Sequence, residues 1–176
     1  MQDYSPVRYG LDEINGMDQD AFVAVFGGVF EDSPWVAGAA WQSRPFKSNA
    51  HVVEALCEAV RSAGRQRQLA LLCAHPELGA RKPLTGYSAR EQDKAGLQQG
   101  QDERVALLAD LNRRYRDKFG FPFIIAVKGL DPDRIIECFR ERLDNSLEDE
   151  FAECLGQVFR IAGFRLEELL GDVDEG

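Results

Sequence analysis

The chain has 176 residues, 44% hydrophobic and 29% charged, so it is long enough to bury the core of one globular domain. Its formal charge of −9 argues against non-specific binding to nucleic acid or to an anionic membrane surface. No apolar stretch approaches the roughly 20 residues that span a bilayer. Two histidines, four scattered cysteines and the lack of a glycine-rich phosphate loop leave no motif for zinc or a nucleotide cofactor.

The ends of the chain and its cysteines predict a cytoplasmic protein. Residues 1–6 lack the basic start and apolar run of a signal peptide, and residues 172–176 are acidic and carry no peroxisomal tripeptide. The cysteines form no C-x-x-C pair, and most fall within helical patterns. We therefore expect small core residues in a reducing compartment.

Helical periodicity dominates the first half of the chain. The first pattern ends near residues 27–28 and has its apolar face at Phe22, Val25, Phe26 and Val29. Ser33 and Pro34 predict the start of a short helix, with serine as N-cap and proline as the first helical residue. Ser48 caps the next predicted helix. A further apolar segment must end at His75, because the following proline disfavours helical backbone there.

The second half shows the same periodicity with clear start and stop signals. Ser88 and Glu91 have the spacing of an S-x-x-E capping box and predict a helix that opens at Ser88. The remaining signals are Gly120 after a long helix, Asp131 and Pro132 before the next, and Asn145 or Ser146 before the last. Residues 121–127 are β-prone, but a lone strand has no partner, so we expect extended or irregular helical backbone. The prediction is one all-α domain of about eight helices spanning residues 1–176.

Polar side chains at three places in the sequence could take part in catalysis or ligand binding. His75 ends an apolar helix, where the charged form is favoured, and could be a general acid or simply a residue that caps the last carbonyls. Glu91 and Gln92 could present a carboxylate and an amide to a polar ligand, or Glu91 could only close its capping box. Arg165 falls on the apolar stripe of the last helix, so it must pair with a buried carboxylate or hold a ligand.

Seven short motifs occur in one order along the chain. They are residues 30–35 (FEDSPW), 44–46 (RPF), 75–78 (HPEL), 88–92 (SAREQ), 119–123 (FGFPF), 141–143 (ERL) and 165–166 (RL). With these motifs the chain resembles the OHCU decarboxylases, the 2-oxo-4-hydroxy-4-carboxy-5-ureidoimidazoline decarboxylases, over residues 11–170. The loop between His75 and Ser88 is shorter than in animal members, which suggests a bacterial-type cytosolic enzyme.

The resemblance implies an all-α homodimer that uses no metal or organic cofactor and converts OHCU to (S)-allantoin in urate degradation. It places the catalytic histidine at His75, and we assign Glu91 a catalytic role beside it. The substrate-binding residues that it implies are Pro76, Ser88, Gln92, Phe123, Ile124, Ile125, Ala126, Val127 and Arg165. The backbone N–H and C=O groups of the irregular segment are suited to a ureido-imidazoline edge.

Two other classes of function compete with this one. A catalytically silent helical interaction module would be expected to have lost the histidine or the glutamate, and both are present. A hydrolase with Cys73 as nucleophile would need a reactive thiol, whereas the apolar Leu-Leu-Cys-Ala setting is expected to raise the pKa of that thiol.

Overall fold

The computed structural model describes residues 7–79, 86–94, 96 and 102–171, and most of these residues lie in helices. Within these ranges there are nine α-helices and one short 3-10 helix; Tyr9 and Leu170 form a single β-bridge, and no strand is present. The all-α prediction is therefore confirmed. The chain divides into two compact units, Met1–Gln68 with Ile161–Gly176, and Leu69–Arg160. No helix in the described ranges is long and apolar enough to cross a membrane.

The first unit is built around three phenylalanine rings. Its helices are α1 (Leu11–Gly16), α2 (Gln19–Phe26), α3 (Trp35–Ala40), a 3-10 turn (Trp41–Ser43) and α4 (Asn49–Arg61). Helix α3 packs against both α2 and α4. The ring centroids of Phe22 and Phe26 lie 4.7 Å apart, and those of Phe22 and Phe46 lie 5.7 Å apart. All three side chains are buried and supply the apolar core of this unit.

The starts of the first helices test the capping predictions. Ser48 caps α4 as predicted, because its hydroxyl accepts a hydrogen bond from the His51 N–H at 3.1 Å. Helix α3 begins at Trp35, as predicted, but its N-cap is Pro34 rather than Ser33. Ser33 instead accepts the Val36 N–H through its backbone carbonyl, at 3.1 Å. Helix α1 was not predicted, since only one of its six residues is buried and the sequence shows no periodicity there.

The second unit surrounds a buried tyrosine. It contains α6 (Gly86–Lys94), α7 (Asp102–Phe119) and α8 (Pro132–Arg142), the end of α5 (Arg65–Ala74) and the beginning of α9 (Leu147–Leu169). Tyr115 is fully buried, and four phenylalanine rings have centroids between 4.6 and 6.1 Å from its own. These rings belong to Phe119, Phe121, Phe123 and Phe139. This aromatic core supports the irregular segment at residues 121–127.

Most predicted helix ends in this unit are confirmed. Gly120 follows α7 with a φ of +80°, a left-handed conformation that favours glycine. Asp131 caps α8, and the hydroxyl of Ser146 accepts the Asp149 N–H at 3.2 Å at the start of α9. The capping box at Ser88 is wrong, because α6 already begins at Gly86. Ser88 lies in the first turn with only 5% of its surface exposed, so its side chain is buried in the protein rather than placed before the helix.

Candidate active site

The ring of His75 is fixed at the end of α5. Its backbone N–H donates to the Leu72 carbonyl at 3.1 Å, and its Nδ1 lies 2.8 Å from the Leu71 carbonyl oxygen. Because a carbonyl can only accept, Nδ1 must carry a hydrogen, and Nε2 is the nitrogen whose protonation can change. The ring thus caps a last-turn carbonyl, as one interpretation expected. The same bond also orients a buried imidazole with only 7% of the residue exposed.

The turn that follows His75 is held by two buried amides. Gln92 on α6 accepts the Gly79 N–H through Oε1 at 3.0 Å. Asn112 on α7 donates from Nδ2 to the Leu78 carbonyl at 2.9 Å. Both amide residues are buried, with 4% and 6% of their surface exposed. Asn112 was not predicted from sequence, because an asparagine among the polar residues of a helix has no distinguishing pattern.

Three predicted residues share one face of α6. Ser88, Glu91 and Gln92 stand at positions i, i+3 and i+4, which lie side by side on a helix. Ser88 and Gln92 are buried and Glu91 is half-buried. Since Oε1 of Gln92 is used by Gly79, the NH₂ group of this amide is the part suited to donate to an anionic or carbonyl ligand atom.

Residues 121–127 form neither helix nor strand, as expected, and all seven are buried. The Ile124 carbonyl accepts from Nη1 of Arg142 at 2.7 Å, and the Ala126 N–H donates to Oε1 of Gln157 at 3.0 Å. The N–H and C=O of Ile125, between them, make no hydrogen bond to any residue that the structure describes. Buried peptide groups are nearly always paired, so these two indicate a place where water or a ligand binds.

The buried ion pair of Arg142 and Glu150 holds residues 121–127 in place through the bond from Arg142 to the Ile124 carbonyl. Arg142 donates from Nε to Glu150 at 2.8 Å, and Tyr115 donates its hydroxyl to the same carboxylate oxygen. Burial, aided by Cys154 and Glu150, raises the pKa of Tyr115 well above its usual value. Burial likewise raises the pKa of Cys154 to about 11. Both groups therefore stay protonated at neutral pH, and the only charges in the cluster belong to the ion pair.

Arg165 is described within the first unit. It is 3% exposed, as its position on an apolar stripe indicates, and it donates from Nη1 to the Val29 carbonyl at 3.0 Å. Its Nη2 lies 3.0 Å from Oε1 of Glu31, which is 2% exposed. The expected carboxylate partner is thus Glu31, which sequence reasoning did not single out. A glutamate between Phe30 and the Ser33-Pro34 helix start was the available signal.

The thiol of Cys73 does not lie in the apolar setting that was expected. Cys73 is exposed on α5, with its Sγ 3.8 Å from the Gly120 carbonyl, whereas His75 is buried. Because the thiol is exposed and the imidazole is buried, the structure gives no support to a cysteine–histidine nucleophile.

The described residues define a class of protein. They form an all-α fold that holds an oriented histidine ring, buried amides, and a buried residue, Ile125, whose peptide groups bond to no other described residue. Over the same residues there is no group of three or more histidine, cysteine or acidic side chains placed to hold a metal ion. The fold and these groups are those of a helical enzyme for a small polar substrate.

Comparison with known proteins identifies the family. The family model described as OHCU decarboxylase matches residues 15–167. The 2-oxo-4-hydroxy-4-carboxy-5-ureidoimidazoline decarboxylase of Halalkalicoccus jeotgali is 42% identical over 92% of both chains. The decarboxylase of the same name from Haloferax volcanii is 43% identical over 90% of this chain and 94% of its own. The chain belongs to the OHCU decarboxylase family.

A solved structure agrees with this assignment. The crystal structure of (S)-allantoin synthase superposes with a TM-score of 0.75 and is 26% identical, over 92% of this chain. The present chain spans 54% of the length of that solved chain.

Proposed function

We propose that this protein is a cofactor-free carboxy-lyase that decarboxylates OHCU to (S)-allantoin in urate degradation. The observation that carries the proposal is the 42% identity to a decarboxylase of this name over 92% of both chains. The alternative of a catalytically silent module has no support from the residues, since His75 and Glu91 are both retained. As a family trait we also propose that the protein is a homodimer and acts in the cytoplasm.

The reaction breaks the bond between ring carbon C4 and the carboxylate. CO₂ leaves, the electron pair remains on C4 and its conjugated ring, and a proton is then added to one face. We assign Nε2 of His75 to the hydrogen bond with the 4-hydroxyl group. Because Nδ1 is committed to the Leu71 carbonyl, the proton that Nε2 takes or gives has one direction of approach. General acid–base catalysis of this kind contributes about 10²–10⁴-fold to a rate.

Glu91 is assigned to the substrate carboxylate. A second negative charge nearby disfavours the charged reactant relative to neutral CO₂, which lowers the barrier to its loss. Gln92 supports this arrangement, because its Oε1 is anchored by Gly79 and its NH₂ group can donate to a substrate oxygen. We also assign Ser88 and Pro76 to substrate contacts, because the resemblance to the family implies substrate-binding residues at these two positions.

The irregular segment is assigned to the urea-like edge of the substrate. The segment consists of Phe123, Ile124, Ile125, Ala126 and Val127, and the N–H and C=O of Ile125 make no hydrogen bond to any residue that the structure describes. Such groups match an –NH–C(=O)– edge, which offers one donor and one acceptor. The aromatic ring of Phe123 has a structural role. Its centroid lies 3.9 Å from that of the stacked Phe139 ring, so it supports the segment from the core.

Arg165 is assigned to substrate binding as well. Its guanidinium has five N–H donors, and the bonds to Val29 and Glu31 are made by Nη1 and Nη2. These two bonds orient the planar group, and an oriented guanidinium is suited to an anionic or carbonyl-rich ligand. The ion pair with Glu31 is consistent with this role and with a structural one, so kinetics of a variant must decide.

The proposal is tested by CO₂ release from OHCU made in situ. The wild-type protein should release CO₂ well above the uncatalysed rate, and His75→Asn should lose most of that rate because it lacks a group that exchanges a proton near neutral pH. His51→Asn is the matched control, since it replaces the other histidine, whose Nδ1 only accepts the Lys47 N–H at 3.1 Å. A His75→Asn rate near wild type would refute the assignment, and no acceleration by the wild-type protein would refute the function.

A further inference from the structure

The peptide groups on either side of Ile125 are held by side chains. In the peptide between residues 124 and 125, the carbonyl accepts from Nη1 of Arg142 at 2.7 Å. In the peptide between residues 125 and 126, the N–H donates to Oε1 of Gln157 at 3.0 Å. Both peptides are trans, because the only cis peptide bond in the described chain is Arg44–Pro45.

Because a trans peptide is planar, each of these two bonds also fixes the direction of the other polar group in its peptide. The C=O and N–H of one planar trans peptide point in opposite directions. When Arg142 holds the Ile124 carbonyl, the Ile125 N–H must point away from Arg142. When Gln157 holds the Ala126 N–H, the Ile125 carbonyl must point away from Gln157. The two side chains therefore aim one donor and one acceptor, on a single residue, away from their own helices.

The orientation of the Gln157 side-chain amide is fixed by the two hydrogen bonds that it makes. Its Oε1 must face the Ala126 N–H, and its Nε2 donates to the Glu153 carboxylate one turn earlier on α9, at 2.7 Å. A flipped amide would put oxygen against carboxylate and nitrogen against N–H, and would lose both bonds. Gln157 is 9% exposed, so water offers little compensation for either loss.

We infer that Gln157 is a positioning residue for substrate recognition, which with Arg142 aims the N–H and C=O of Ile125 at an –NH–C(=O)– edge of the ligand. A cyclic urea or lactam has this edge, and the pair of complementary hydrogen bonds selects it over esters and carboxylates, which lack the donor. The inference rests on the proposed function, because it concerns the segment that is assigned there to substrate contact.

The first test follows individual backbone amides of the wild-type protein by NMR-detected hydrogen exchange, with (S)-allantoin as the probe. The Ala126 N–H should be protected with or without allantoin, because Gln157 holds it. The Ile125 N–H should exchange readily in the free protein and become at least about tenfold slower when allantoin is bound. Unchanged exchange at Ile125 in a protein saturated with allantoin overturns the inference.

The second test uses variants and measures the allantoin dissociation constant. Gln157→Leu removes the anchor and should weaken binding about tenfold, the effect of losing one well-made hydrogen bond. The double variant Glu153→Gln with Gln157→Glu exchanges the two groups, so that the acceptor for Ala126 and the bond along α9 are both restored. It should bind within about twofold of wild type. Arg160→Gln, an exposed change on the same helix, is the control for general effects.

The possible results distinguish failure of the inference about Gln157 from failure of the proposed function. If wild type releases CO₂ from OHCU and Gln157→Leu binds allantoin as tightly as wild type, the inference alone is overturned. If the exchanged pair fails to restore binding while Gln157→Leu is impaired, side-chain volume rather than the bond to Ala126 is responsible, which also overturns it. If the wild-type protein neither binds allantoin nor consumes OHCU, the proposed function has failed and the inference with it.

Discussion

Replacing Glu150 with alanine should destabilise this protein more than any surface substitution. The carboxylate is fully buried and accepts hydrogen bonds from Arg142, Tyr115 and Asn145, at 2.8 Å from Nε of Arg142 and 2.9 Å from Nδ2 of Asn145. Its removal leaves the guanidinium of Arg142, which is 10% exposed, without its counter-charge. Breaking a buried ion pair at one partner costs about 3–5 kcal/mol.

Urea denaturation measures this loss directly. With a dependence on urea of about 2 kcal/mol per molar, a loss of 3–5 kcal/mol lowers the unfolding midpoint by about 1.5–2.5 M. Glu150→Gln keeps the shape and one acceptor oxygen, so its loss should be smaller. The control is Glu168→Gln, an exposed glutamate on the same helix, which should change stability by less than about 0.5 kcal/mol. A Glu150→Ala midpoint within about 0.25 M of wild type, the largest shift expected of the control, would show that the buried ion pair contributes no measurable stability.

Three further results are expected from single changes. Gly120→Ala should lose about 1 kcal/mol, because Gly120 has a φ of +80°, whereas Gly156→Ala, in open space on α9, should gain about 0.5–1 kcal/mol by urea denaturation. At pH 8 an alkylating agent should modify exposed Cys73 without loss of decarboxylation. Burial raises the pKa of Cys154 to about 11, so mass spectrometry should find that thiol unmodified until the pH approaches that value or the protein unfolds. Arg165→Lys keeps the charge but loses the planar fork, so the KM for OHCU should rise about tenfold, and unchanged kinetics would identify a structural arginine.

The helices were predictable from sequence because periodicity and caps are local signals. The ends at Gly120, Asp131 and Ser146 follow from residues within one turn of each boundary. The capping box at Ser88 failed for a non-local reason: the side chain is buried by the surrounding unit, and α6 extends to Gly86. Propensity gives way when tertiary burial has a larger effect.

The candidate site was predictable only where a motif or a conflict was visible in the sequence. Arg165 was found because a charge stood on an apolar stripe, and its burial agrees with that reasoning. Its partner Glu31 lies 134 residues away in the chain, and the contact between Ala126 and Gln157 spans 31 residues. No periodicity links such positions, so these partners came only from the three-dimensional structure.

The handedness of the product distinguishes enzymatic decarboxylation of OHCU from its spontaneous decay. OHCU is generated from urate with uricase and hydroxyisourate hydrolase, and circular dichroism is followed after the protein is added. The wild-type protein should give rapid appearance of the (S)-allantoin signal, and His75→Asn should lose it. Racemic allantoin, formed no faster than without the protein, would contradict the proposed function.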